Sequence, residues 1–270
     1  YIPTVSNNRV VRLDDDAVSG ANGNPGGVRD GADAVRTMGT LAHSYGADEL
    51  GTTLLLDTGN VPRGYSYSLN SDSTVLTISQ QQDGVNVDVV QLSLSDTTSG
   101  LYTVEQLNPI DHRDQRANIE NNQAFTINYV VTDGDGDQVE GGIRVSVDDD
   151  TALLVIDTET ITVDEDGLIG ANVDAGRDGE ISGTNSATAT GNLADNFSFG
   201  ADGAAQAAIV SVNGQVAVAG IITVETSEYR LDVTAETGAY TFTLLTNVSE
   251  SGTGENLQSA FDIALNVVAE

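Results

Sequence analysis

The sequence predicts an all-β chain built from antiparallel β-sandwiches, and three observations lead to that fold class. Apolar residues recur at period two, as in residues 85–94 and 143–147, so that every second side chain would face a core. Clusters of Gly, Asn, Asp and Ser separate these runs, and 29 glycines against 4 prolines favour turns with positive φ angles. Much of the pattern is repeated later in the chain. Many short strands joined by turns are typical of Ig-like or cadherin-like sandwiches.

Strand-like apolar runs occur throughout the chain, and one short segment departs from them. We expect strands over residues 52–56, 85–94, 125–131, 143–147, 207–212 and 260–268. Residues 33–43 are predicted to form a short helix. The apolar runs argue against disorder as the explanation of the chain's high charge.

An internal repeat covers most of the sequence. The segment 13–22 aligns with 163–172, so that Asp14 corresponds to Asp164 and the repeat length is 150 residues. Three later pairs follow in the same order: 39–48 with 191–202, 99–103 with 237–241, and 130–133 with 267–270. Repeats of this length are whole domains. We therefore expect one domain over residues 1–150 and a second copy over 151–270 that lacks its last strand.

The charge of the chain excludes some partners and indicates another. Asp plus Glu number 41 against 10 basic residues, which gives a formal net charge of −31. Nucleic acid and anionic membranes are excluded as partners because both require basic side chains, and no segment predicts insertion into a membrane. Self-repulsion of this size destabilises a compact fold unless cations lie among the carboxylates. Calcium is the hard cation that prefers clustered oxygen ligands, and we expect several Ca²⁺ ions.

The clearest motif is Asp133-Gly134-Asp135-Gly136-Asp137, in which carboxylates alternate with glycines. The spacing is that of calcium ligands, with glycines that let the backbone curl around an ion. The motif is not an EF-hand, because Gln138 and Arg144 stand where a Gly and a bidentate Glu are needed. Asp133, Asp135 and Asp137 are therefore predicted metal ligands. The alternative is a solvated hairpin turn.

Acidic triplets lie at the start of each copy and between the copies. Neighbouring carboxylates repel one another strongly unless they are paired. A divalent ion shared between the end of one domain and the start of the next would relieve this repulsion, and a flexible charged linker is the alternative. The predicted ligands here are Asp14, Asp16, Asp148, Asp149, Asp150, Asp164 and Asp166.

The inventory of catalytic residues is poor, and we expect no enzymatic activity. There is no Cys, and His43 and His112 are the two histidines, which argues against thiol catalysis and His-rich zinc sites. His112 lies between Asp111 and Arg113, yet no Gly-x-Ser-x-Gly motif accompanies it. The absence of Cys also excludes disulfides.

Several segments resemble the long repeat modules of type I-secreted giant bacterial adhesins, the RTX adhesin family. The similarity is carried by residues 100–103, 107–112, 120–121, 130–137 and 145–150. It implies an extracellular protein of the bacterial surface that is exported unfolded and folds as calcium binds. Such modules act in cell adhesion and biofilm formation.

Two functions are compatible with that resemblance. One is a structural extender that contacts neighbouring domains of the same chain; the other is a module that binds a host or microbial surface peptide or glycan through calcium-ordered loops. An accessory domain of a secreted hydrolase is a further alternative. If a ligand binds, we expect it near the following residues: Tyr65, Tyr67, Asp111, His112, Asp114, Glu120 and Asn121.

Overall fold

The chain is all-β, which confirms the predicted fold class. The computed structural model describes residues 1–19, 35–47, 52–112, 122–150, 153–155, 160–169, 186–201, 204–248 and 263–269. Within these residues the helical segments are single 3-10 turns, at Asp15–Ala17, Glu165–Gly167 and Leu193–Asn196. No helix in these ranges is long and apolar enough to cross a membrane.

The structure divides into two compact units. Unit 1 comprises Tyr1–Thr151 with Gly200–Gly203, and unit 2 comprises Ala152–Phe199 with Ala204–Ala269. The strands of unit 1 are β1 (Thr4–Val5), β2 (Val11–Asp14), β3 (Met38–Thr40), β4 (His43–Ser44), β5 (Thr53–Asp57), β6 (Tyr65–Leu69), β7 (Val75–Gln82), β8 (Val85–Leu94), β9 (Leu101–Gln106), β10 (Gln123–Thr132) and β11 (Gln138–Asp148).

Unit 1 is a sandwich of two main sheets. One has the order β2-β11-β10-β5 and the other the order β3-β9-β8-β7-β6, while β1 pairs separately with β4. Period-two alternation in β10 and β11 turns one set of side chains inward, so that Ile127 and Ile143 are fully buried. They share a core with Ile78 and Leu92 of the other sheet. All neighbouring strands run antiparallel except β2, which pairs with β11 in parallel.

Unit 2 repeats much of this arrangement. Its strands are β12 (Leu153–Leu154), β13 (Thr188–Asn192), β14 (Phe197–Ser198), β15 (Ala204–Val212), β16 (Gln215–Val216), β17 (Ile221–Glu225), β18 (Tyr229–Thr234), β19 (Ala239–Leu244) and β20 (Leu265–Ala269). The order β13-β19-β18-β17 matches β3-β9-β8-β7 of unit 1, and β15 beside β20 matches β5 beside β10. A separate core includes Ile222, Val233 and Phe242.

Individual hydrogen bonds of the backbone and of side chains also recur in both units. The Leu41 backbone N–H donates to Gly100 O at 2.9 Å, and Leu193 N–H donates to Gly238 O at the same distance. The Ser79 hydroxyl donates to Asp88 at 2.6 Å, as the Thr223 hydroxyl does to Asp232. Among the described residues of unit 2, no strand lies beside β20 where β11 lies beside β10. These features agree with the tandem-copy interpretation, which stays a prediction.

The predicted strands are present, but the predicted helix is wrong. Residues 33–43 include the strand Met38–Thr40, which pairs with β9, and the start of His43–Ser44. Gly39 lies directly opposite Tyr102 in that pairing, and the ring packs over the space that a Gly39 side chain would fill. Packing against the neighbouring strand therefore makes this segment a strand, because its helical pattern is too weak to compete.

Candidate metal centres

The Asp133–Asp137 motif forms the turn between β10 and β11. The pair Thr132 and Gln138 closes the ladder, and the Asp133 N–H donates to Asp137 O at 3.0 Å. Gly136 has φ +99°, a conformation that favours glycine. This tight turn brings its three carboxylates to the same place.

One carboxylate of this turn is buried while the other two are exposed. Asp133 is only 2% exposed, and its Oδ1 accepts the N–H groups of Asp137 at 2.9 Å and of Gly136 at 3.2 Å. Its Oδ2 is buried and has no hydrogen-bond partner in the described part of the chain. Carboxylate oxygens of Asp133, Asp135 and Asp137 lie within 4.8 Å of one another.

The proximity of these carboxylates shows in their pKa values. Burial acts to raise the pKa of Asp133, but the Asp135 carboxyl and the N–H groups of Asp137 and Gly136 outweigh it, so the pKa is lowered. The pKa of Asp135 is raised by interaction with the neighbouring Asp133 carboxylate. Asp133 therefore stays charged to lower pH than Asp135 does, because two carboxylates this close repel each other. A bound cation would relieve that repulsion.

The carboxylates of the turn lie close enough together to hold a metal ion. Ca²⁺ takes oxygen ligands at about 2.3–2.6 Å, so two ligands on opposite sides of the ion lie about 4.6–5.2 Å apart and neighbouring ligands lie closer. Oxygens within 4.8 Å of one another can reach one ion of this size. The buried Oδ2 of Asp133 is an acceptor that a cation would satisfy.

A second acidic cluster lies where β2 ends beside β11. Parallel pairing places Asp148 directly opposite Asp14, so both predicted ligands lie at one end of the same sheet. Asp14 is buried and caps the 3-10 turn that follows, accepting the Asp16 N–H at 3.0 Å. Asp150 is buried and accepts the Ala201 N–H at 2.5 Å. The two triplets of unit 1 therefore meet within that unit.

Asp15 is the buried centre of this second cluster, and the sequence prediction missed it. Its Oδ2 lies 2.9 Å from His112 Nε2, and that nitrogen lies 3.8 Å from Asp149 Oδ1. The Gln106 amide and the Ile110 N–H (3.3 Å) also donate to the Asp15 carboxylate. Asp15 is fully buried and His112 is 6% exposed.

Two opposing effects set the pKa of Asp15. Burial raises the pKa above its usual value, while His112 and the other hydrogen-bond donors partly offset that rise. The network joins the Asp15–Ala17 turn to the chain after β9, which makes it a structural anchor. His112, predicted as a ligand contact, lies in this interior network rather than on the surface.

The remaining predicted metal ligands lie in unit 2. Asp164 caps the turn Glu165–Gly167 by accepting the Asp166 N–H at 2.9 Å, which is the arrangement that Asp14 and Asp16 have in unit 1. The Glu165 carboxylate accepts the Val248 N–H at 2.5 Å and the Asn247 amide at 3.0 Å. That Asp164 and Asp166 bind metal stays a prediction.

The predicted ligand residues on β6 are partly built into the core. Tyr65 and Tyr67 are half-buried and pack against the unit 1 core, and the Tyr65 ring lies 5.8 Å from that of Phe125. Burial raises the pKa of Tyr67 to about 12. Asp111 is half-buried, and its backbone exchanges hydrogen bonds with Gln80. Asp114, Glu120 and Asn121 lie outside the described residues.

Comparison with protein-family models, with curated proteins and with solved structures gave no match.

Proposed function

We propose that this chain is a calcium-stabilised module of a bacterial surface adhesin, acting outside the cell in adhesion and biofilm formation. The observation that carries the proposal is the β10–β11 turn, where Asp133 is buried with an unsatisfied Oδ2 beside two further carboxylates. The adhesive role and the location follow from the sequence resemblance. The carboxylate cluster of the turn supports the calcium role.

Calcium fits this turn better than a transition metal does. All its side-chain ligands are carboxylate oxygens, which hard cations prefer, and Asp135 and Asp137 are exposed and free to adjust to a large ion. The net charge of −31 provides a general reason for cations to stabilise the fold. Folding would then couple to the high calcium of an extracellular medium.

The test is thermal unfolding with and without calcium. A ligand that binds only the folded state stabilises it by about 4 kcal/mol at a thousandfold excess over Kd. We expect Ca²⁺ to raise the melting temperature, EDTA to lower it, and Asp133→Asn to remove a large part of the rise. Calorimetric titration would give the number of ions.

Asp83→Asn is the matched control. Asp83 precedes Gly84 in the β7–β8 hairpin turn with φ 45°, which Asn tolerates, and Asp83 belongs to neither carboxylate cluster. This variant removes the same charge from a similar turn and should respond to calcium as the natural chain does. Equal calcium responses of the natural chain, Asp133→Asn and Asp83→Asn would contradict the proposed site.

A further inference from the structure

Two arginines line a pocket of unit 1 that also includes Asp14 and Asp148 of the second acidic cluster. The pocket has a volume of about 290 Å³ and lies over β2 and β11. Its lining residues include Arg12, Arg144, Asn122 and Ser146, with Asp14 and Asp148 also present. We propose that this pocket binds a carboxylate-bearing sugar, that is, a uronate residue of an acidic polysaccharide.

Arg12 and Arg144 are exposed and unpaired in the described part of this strongly acidic chain, as Arg9 and Arg63 also are. All ten basic residues are arginines, set against 41 acids. Arg230 in unit 2 pairs with Asp232 at 2.7 Å and with Glu225 at 3.5 Å. Arg12 and Arg144, in contrast, make no side-chain hydrogen bond or ion pair in the described structure, although two aspartates line the same pocket. Their guanidinium groups are available to a ligand.

The register of the strands gives the pocket two chemically different ends. Arg12 lies opposite Ser146, and Arg144 precedes Ser146 by two residues on the same face. Asp14 and Asp148 follow two residues later along each strand and lie opposite one another. Along β2, Arg12 and Asp14 are two residues apart, about 6.6 Å, and along β11, Arg144 and Asp148 are four residues apart, about 13 Å, so the arginines and the aspartates lie at opposite ends of the pocket.

This arrangement matches a uronate. Guanidinium groups bind carboxylates through paired N–H donors, and arginine is the residue that suits this geometry best. Asn122 and Ser146 would exchange hydrogen bonds with sugar hydroxyls. The volume is at the small end of ligand pockets, about 300–1,000 Å³, which suits one ring rather than a folded peptide. The inference rests on the proposed adhesive function and names its ligand class.

The test is calorimetric titration of the whole chain, at fixed free calcium, with a trisaccharide of galacturonate and with the neutral galactose trisaccharide of the same linkage. We expect the uronate to bind and the neutral sugar to bind at least tenfold more weakly. Arg12→Gln and Arg144→Gln should each weaken uronate binding by about ten- to a hundredfold, the usual loss for hydrogen bonds to a charged group. Added salt should also weaken it.

Arg63→Gln is the matched control, since Arg63 is exposed and lies outside the pocket. Equal binding of both sugars, or uronate binding that survives both pocket substitutions, would overturn the inference. So would binding of a short peptide through its free C-terminal carboxylate in place of the uronate. Melting curves on the same samples separate the two claims: a calcium-induced rise without uronate binding ends this inference and leaves the proposed function intact.

Discussion

At the scale of single residues, Asp96 illustrates how a surface carboxylate stabilises a loop. It accepts hydrogen bonds from the N–H groups of Thr98 (2.7 Å) and Ser99 (2.6 Å) and from both hydroxyls. The Ser99 side chain and the backbone N–H groups hold the pKa of Asp96 well below its usual range. Its stabilising effect is therefore present above the unfolded pKa of about 3.9 and is lost as the pH falls through the folded pKa.

We expect Asp96→Ala to lower the melting temperature at pH 7 and to reduce the further loss of stability on acidification below about pH 4. Melting temperature measured against pH for both proteins checks this. Glu105→Gln is the control, because the Glu105 side chain is exposed and its carboxylate accepts no hydrogen bond in the described structure. If the two curves of melting temperature against pH ran parallel, the charge of Asp96 would not stabilise the folded chain.

The spacing of residues along the sequence predicts some of the contacts in these clusters and not others. The sequence could predict that Asp133, Asp135 and Asp137 lie together, because a single turn contains all three. Asp15 and His112 could not be identified as partners, since their contact joins positions 97 residues apart. The pairing of Arg12 with Ser146 depends in the same way on a parallel register, which nothing in either segment specifies.

At the scale of strands, tyrosine–glycine pairs recur across neighbouring strands of the sandwiches. Tyr102 lies opposite Gly39, Tyr129 opposite Gly141 and Tyr240 opposite Gly191. In each pair the ring occupies the space that a glycine side chain would need. Glycine weakens a strand by itself, and a cross-strand aromatic ring offsets that weakness. These strands therefore need glycine at positions where β-strand propensity alone would disfavour it.

We expect Gly141→Ala to destabilise unit 1 by about 1–3 kcal/mol, the usual cost of overpacking. Tyr129 is fully buried, and its hydroxyl donates to Ala42 O at 3.2 Å and accepts the Asn8 amide at 2.9 Å, so the ring cannot easily move away. Denaturant unfolding would measure the change. In a Tyr129→Leu background the same substitution should cost less. Equal costs in both backgrounds would mean that the ring is not the cause.

At the scale of the whole molecule, the net charge of −31 raises the question of whether calcium acts by screening or by binding at sites. Screening depends on ionic strength and treats all cations of one valence alike. Site binding depends on ligand geometry, and Mg²⁺ demands a tighter octahedron than Ca²⁺. We expect millimolar Ca²⁺ to raise the melting temperature more than NaCl or MgCl₂ does at the same ionic strength.

Scanning calorimetry can show which unit calcium stabilises, because the two units have separate cores. Separate cores predict two unfolding transitions. The carboxylates of the β10–β11 turn belong to unit 1, so Asp133→Asn should lower the calcium response of one transition and leave the other nearly unchanged. If NaCl at matched ionic strength reproduced the whole calcium effect on both transitions, the carboxylates would be acting as a diffuse charge rather than as metal sites.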